Sequence, residues 1–213
     1  MSPDTKRRFR APVMLFAGGV VIGAVVWSIF SVKPPAAPPG PVMIAYFDRA
    51  TTDQLKSVPG ATGVRFYFAA DAPGDARAII APIGQAGWHV PEGGTLQFRK
   101  YKGLNGPRAD VDVLDEQRAE DLVKRSTYSG SGPWSVDCTT GELDRLLAVA
   151  GSNAIGLTVT RASGGTYTFV FIPVEIRKGV ATEKGTSNNW LTGMPCPSYC
   201  VWEANAYLHL RHQ

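Results

Sequence analysis

Two cysteines and two histidines close the chain: Cys196 and Cys200 in CPSYC, then His209 and His212 in HLRH. Thiolate sulfur and imidazole nitrogen are the donors of a tetrahedral zinc site. The spacing is not that of a zinc finger, because eight residues separate Cys200 from His209 and two separate the histidines. In an oxidising compartment the two cysteines instead pair with each other. A Cys196–Cys200 disulfide is the leading expectation. Its loop is so short that it pins local shape and adds little to overall stability. Zinc on Cys196, Cys200, His209 and His212 and free thiols are the alternatives. Cys138 precedes Thr139 and Thr140, where a helix is expected to start. A helix N-terminus can lower a thiol pKa, but an unpaired cysteine is more often a small buried residue, and that is the expectation here.

Asp110, Asp112, Asp115 and Glu116 make an acidic cluster, DVDVLDE. It lacks the glycine turn of a calcium loop. Its expected role is local, with Asp112 capping a following helix and Asp115 and Glu116 favouring that helix's positive end. His89, in GWHVPEGG, is expected in a loop and exposed. No G-x-S-x-G, H-E-x-x-H, Walker loop, C-x-x-C or Rossmann glycine set is present, and the expected chemistry carries no cofactor.

The elements that hold these residues read as an α+β domain built from two helix–β-hairpin units around antiparallel sheet. Residues 51–83 and 139–174 share a plan that points to an internal repeat. Each opens on Thr-Thr, with Gln54 or Glu142 at capping-box spacing. A short helix with Leu55 or Leu143 follows, longer by about five residues in the second copy. Gly63 or Gly156 then introduces a strand. Val64, Phe66 and Phe68 alternate with Arg65 and Tyr67, and Leu157 and Val159 with Thr158 and Thr160. After a turn, a second strand ends at Pro82 or Pro173, which suits a strand end or an edge. Between the units, Thr95–Tyr101 reads as a strand. Asp112 to about Ser126 reads as an amphipathic helix with Leu114, Ala119, Leu122 and Val123 inward, and 126–134 as a connector.

Leu55, the run GVRFYFA at 63–69, a hairpin and Pro82 together resemble a pattern in small uncharacterised bacterial α+β proteins, often anchored or exported. The resemblance covers residues 44–83 and implies no activity and no site residues.

Residues 11–32 carry no charge and lie between Arg10 and Lys33. As a helix rising ~1.5 Å per residue, the segment matches a hydrocarbon core about 30 Å thick. Lys6, Arg7, Arg8 and Arg10 precede it, so the positive-inside bias puts residues 1–10 in the cytoplasm. A retained anchor is expected over a cleaved signal, whose apolar core is shorter. Gly19 and Gly23 form a G-x-x-x-G, a candidate contact for helix packing or self-association. Residues 33–42 hold five prolines and read as an extended stalk. Residues 43–213 then form one extracytoplasmic domain, periplasmic in a Gram-negative cell. Residues 1–33 hold five Lys/Arg and one Asp, which leaves 17 Lys/Arg and 17 Asp/Glu in the rest. A neutral outer domain makes nucleic acid an unexpected partner. The expected partners are membrane lipid along 11–32 and another protein. The expected role is a non-enzymatic binding or structural module, an accessory subunit of an envelope assembly. An anchored hydrolase or metal-dependent enzyme using the C-terminal Cys/His group is the alternative.

Overall fold

The computed structural model describes residues 42–72, 75–126, 135–161, 167–192 and 194–196. The apolar span, the stalk, Gly19, Gly23, Cys200, His209 and His212 lie outside these residues. No helix among the described residues is long and apolar enough to cross a membrane.

The fold is mixed α+β, mostly strand, with antiparallel sheets. β1 (Val42–Asp48), α1 (Arg49–Lys56), β2 (Gly63–Ala69) and β3 (Arg77–Ile83) open it. β4 (Phe98–Asn105), β5 (Arg108–Leu114) and α2 (Glu116–Lys124) follow. β6 (Ser135–Thr139), α3 (Thr140–Leu147), β7 (Ala154–Arg161) and β8 (Tyr167–Arg177) then repeat the opening order. The short strands β9 (Val180–Glu183), β10 (Leu191–Thr192) and β11 (Met194–Cys196) end the described chain.

The two strand–helix–hairpin units keep a constant offset of 91 positions. Asp48 and Thr139 cap their helices, and Gly63 and Ala154 lie opposite those caps in the sheets. Backbone bonds recur at the same offset: Arg49 N to Asn153 O and Thr140 N to Thr62 O, then Thr62 N to Ile83 O and Asn153 N to Val174 O. Gly60 and Gly151, at φ +88 and +79, turn the chain out of each helix. Two expectations are corrected. Both helices are eight residues long, so no extra turn lengthens the second. The capping box forms at Thr139 and Glu142, but in the first unit Asp48 accepts from the Thr51 amide, and Thr51 is already inside the helix.

The units are crossed. β1 does not join its own hairpin but pairs with β7, giving a sheet β1-β7-β8-β10 with β9 beside β8. β6 leaves its own hairpin to pair with β2, giving β11-β6-β2-β3-β4-β5. The inner faces of the two sheets and the buried leucines of α1 and α3 enclose one core. Its centre is aromatic: Phe66 and Phe171 lie 4.7 Å apart, and Phe68 and Phe169 stack at 3.7 Å. The alternation expected for β2 and β7 holds, since Val64, Phe66, Phe68, Leu157 and Val159 all enter this core. Tyr67 faces the other way but is buried too, because α2 packs Ala119, Leu122 and Val123 on that outer face.

The segment between the units differs at its ends from the sequence reading. β4 starts at Phe98 rather than Thr95, and Asp112 lies in β5, so α2 starts after Asp115, which accepts from the Arg118 amide at 2.8 Å. A register shift between Tyr101 and Gly103 bends the β4–β5 ribbon. Its far end, with Leu104 and Ala109, covers the outer face of the other sheet at Met43, Tyr46, Ile172 and Ile176. Pro82 and Pro173 sit inside β3 and β8, each flanked on one side by a full ladder. Their carbonyls accept on the opposite side, from Val90 and Lys184, where no ladder donor is required of proline.

Gly63 marks how closely the crossed strands approach: a Cβ there would lie 2.7 Å from the Cys138 carbonyl oxygen. Gly63→Ala is expected to cost about 1–3 kcal/mol by overpacking. Gly103→Ala, which meets nothing within 4 Å, should stay within about 0.5 kcal/mol of the parent. Urea midpoints of the two variants check this; equal midpoints would contradict the close crossing.

Candidate functional site

A cleft of about 870 Å³ opens where the start of α1 meets two hairpin turns. The helix contributes Asp48, Arg49, Ala50 and Asp53. The β4–β5 turn contributes Pro107 and Arg108, and the β8–β9 turn contributes Arg177 and Lys178, with Asn153 and Ile176 between. Four cationic residues from three elements therefore line one space together with two acids.

Each element is held by local chemistry. Gly106 takes φ +74 ahead of Pro107, whose ring fixes φ near −65°, so the β4–β5 turn is type II′. Lys178 and Gly179, at φ +49 and +74, make a type I′ turn. The turns are stacked: a Cβ on Gly179 would lie 3.3 Å from the Gly106 carbonyl oxygen and 3.4 Å from that of Leu104. Asn153 mimics a strand neighbour, its side chain donating to Ile176 O at 3.0 Å and accepting from Ile176 N at 2.7 Å. The cleft is thus preformed by backbone geometry.

The charges are unequally committed. Asp48 accepts from the Thr51 amide, and Asp53 pairs with Lys56 at 2.9 Å. Arg49 Nη2 donates to the carbonyl oxygen of Leu147, near the C-terminal end of α3, where orphan carbonyls collect. Arg177 Nε meets Glu175, which also holds Lys184 at 2.5 Å. The Lys184 ammonium, then Arg177, hold the Glu175 carboxyl below the ordinary range. Arg108 and Lys178 make no ion pair among the described residues. Both are exposed at the rim of the cleft.

A second polar cluster lies under the loop joining β3 to β4. Arg65, 1% exposed, makes two bonds to Asp137 at 2.6 and 2.8 Å. Arg99, 2% exposed, makes two to Glu92 at 2.5 and 2.7 Å. The Tyr67 hydroxyl and His89 Nε2 are 2.8 Å apart. Each buried charge here is matched by a carboxylate, as burial requires, and His89 and Glu92 tie the loop to β2 and β4. Gly87, φ +77, passes so close that a Cβ would meet Arg65 Nη2 at 2.9 Å.

The residues singled out in the sequence fall elsewhere. Cys196 lies in β11 opposite Ser135, while its expected partner Cys200 and the histidines His209 and His212 are outside the described residues. Cys138 is in β6, 2% exposed, and its thiol pKa is pushed up by burial and by Glu142. The lowered pKa that a helix start could give is overridden there. His89 is half-buried against Tyr67 and Phe98 rather than exposed. Asp110 and Asp112 hold Lys102 at 3.2 and 3.3 Å along β5. Among the described residues no group of three or more His, Cys, Asp or Glu could hold a metal ion. Sequence reading missed Arg49, Arg108 and Lys178. The turn residues Gly106-Pro107 and Lys178-Gly179 were a local signal of two hairpins, but not of their stacking.

Compared with family models, with curated proteins and with solved structures, the chain finds no match.

Lys178 occupies a left-handed position that asparagine or glycine fills at lower cost. Lys178→Asn is expected to raise stability by roughly 0.5–1 kcal/mol, seen as a higher urea midpoint. A lower midpoint would mean that the lysine is needed for folding.

Proposed function

We propose that this chain is a single-pass, membrane-anchored binding module, an accessory subunit of an extracytoplasmic assembly that engages its partner or ligand through the cation-walled cleft. The observation that carries the reading is the cleft itself. It is preformed by two stacked turns and lined by Arg108 and Lys178, which have no ion-pair partner among the described residues. Holding a non-glycine side chain at φ +49 costs stability, which a role for Lys178 in binding explains. The charge pattern around residues 11–32 supports the anchor and its direction. The cleft offers positioned positive charge and apolar wall, which favours recognition over bond-making chemistry.

A phosphatase reporter that works only outside the cytoplasm, fused after Gln213, should be active. The detergent-solubilised full chain should capture a crosslinked partner that is lost when Arg108 and Lys178 are both replaced by Glu. A reporter active only in the cytosol would overturn the anchor. Capture that ignores the charge reversal would overturn the cleft as the binding face.

A further inference from the structure

We infer that the cleft takes a phosphate monoester carrying an apolar body. This deepens the reading of the cleft as the binding face and rests on it. The domain outside the anchor is neutral, with 17 Lys/Arg against 17 Asp/Glu. Four cations and two acids nevertheless line this one cleft, an excess of two positive charges. Both acids are already engaged, Asp48 by the Thr51 amide and Asp53 by Lys56.

The two uncommitted cations, Arg108 and Lys178, come from the two turns that Gly106 and Gly179 bring into contact. A single carboxylate neutralises one of them. A phosphate monoester carries about two negative charges at neutral pH and three acceptor oxygens. It can accept a guanidinium fork from Arg108 and a point charge from Lys178 together. Arg49 and Arg177 each commit one nitrogen to a neighbour, which leaves donors at the rim. The remaining lining is Ala50, Pro107, Ile176 and Asn153, whose amide is spent on the Ile176 backbone, and a volume of about 870 Å³ far exceeds a bare phosphate. The space beside the anion site is therefore apolar and large enough for an aliphatic or aromatic substituent.

The charge match also fixes a pH dependence. The second proton of a monoester leaves near pH 6, so binding is strongest above that value and falls below it, while the arginine and lysine stay charged throughout.

Calorimetric titration of the detergent-solubilised full chain with phenyl phosphate tests this. At about pH 7.5 the expected result is saturable one-to-one binding, weakened at least about tenfold by Arg108→Ala and by Lys178→Asn. Lys178→Asn keeps a residue type that favours the left-handed position, and a urea midpoint at or above the parent's separates its loss of binding from unfolding. Phenyl sulfate, a monoanion of the same shape, should bind at least about tenfold more weakly. Non-saturable heats, binding unmoved by either variant, or equal affinity for phenyl sulfate would overturn the inference. Displacement of phenyl phosphate by short-chain phosphatidic acid at lower concentration than by a sugar phosphate assigns the ester to a lipid headgroup; the reverse order assigns it to a soluble metabolite. If phenyl phosphate fails while partner capture still depends on Arg108 and Lys178, the ligand class is wrong and the binding-module reading stands. If both fail, the cleft is not the binding face.

Discussion

The exchange of first strands between the two units governs the rest of this fold. β1 completes the sheet of the β7–β8 hairpin, and β6 completes that of β2 and β3. An isolated hairpin buries too little apolar surface to persist in water. Each unit here gains its third strand from the other, so two small pieces close a single aromatic core. The close passage of Gly63 past the Cys138 carbonyl, and the paired bonds from Arg49 to Asn153 and from Thr140 to Thr62, are where that exchange is locked.

The two halves match in backbone and differ in chemistry. Arg65 and Asp137 form a buried ion pair, whereas the positions 91 away hold Gly156 and Tyr46. Removing one partner of such a pair costs about 3–5 kcal/mol. The glycine, by contrast, leaves room for Met43, which its Cβ would meet at 2.8 Å. The segment between the units breaks the symmetry further. It lays α2 on the outer face of one sheet and bends the β4–β5 ribbon onto the outer face of the other. The cleft lies beyond that register shift at Tyr101–Gly103, where the ribbon's tip meets the β8–β9 turn.

Much of this was legible in the sequence, and the losses have physical causes. Period-two alternation in 63–69 and 154–161 gave the strands and their inward faces, because it records burial directly. The α+β class followed from it. Thr51-Thr52 and Thr139-Thr140 aligned the two units 88 positions apart, whereas their helix caps, Asp48 and Thr139, lie 91 apart, since Asp48 caps as well as threonine does. The frame the structure uses is carried by Asp53 and Asp144, Leu55 and Leu146, Val58 and Val149, Gly60 and Gly151, and Pro82 and Pro173. Those residues lie in the two helices, in the turns that leave them and in the second strand of each hairpin. The exchange of β1 and β6 was not legible, because strand partners 68 to 117 positions apart leave no local periodicity. The cleft was missed for the same reason: each turn is written locally, and their contact is not.

The central claim is that the crossed strands make one cooperative body, from which the cleft inherits its shape. Splitting the chain between Gly130 and Ser131 and purifying the pieces 38–130 and 131–213 tests it directly. Each piece alone should show no cooperative urea transition. Mixing the two should restore a single transition, because each then supplies the strand the other lacks. Cooperative unfolding of either piece as an isolated monomer would contradict the account.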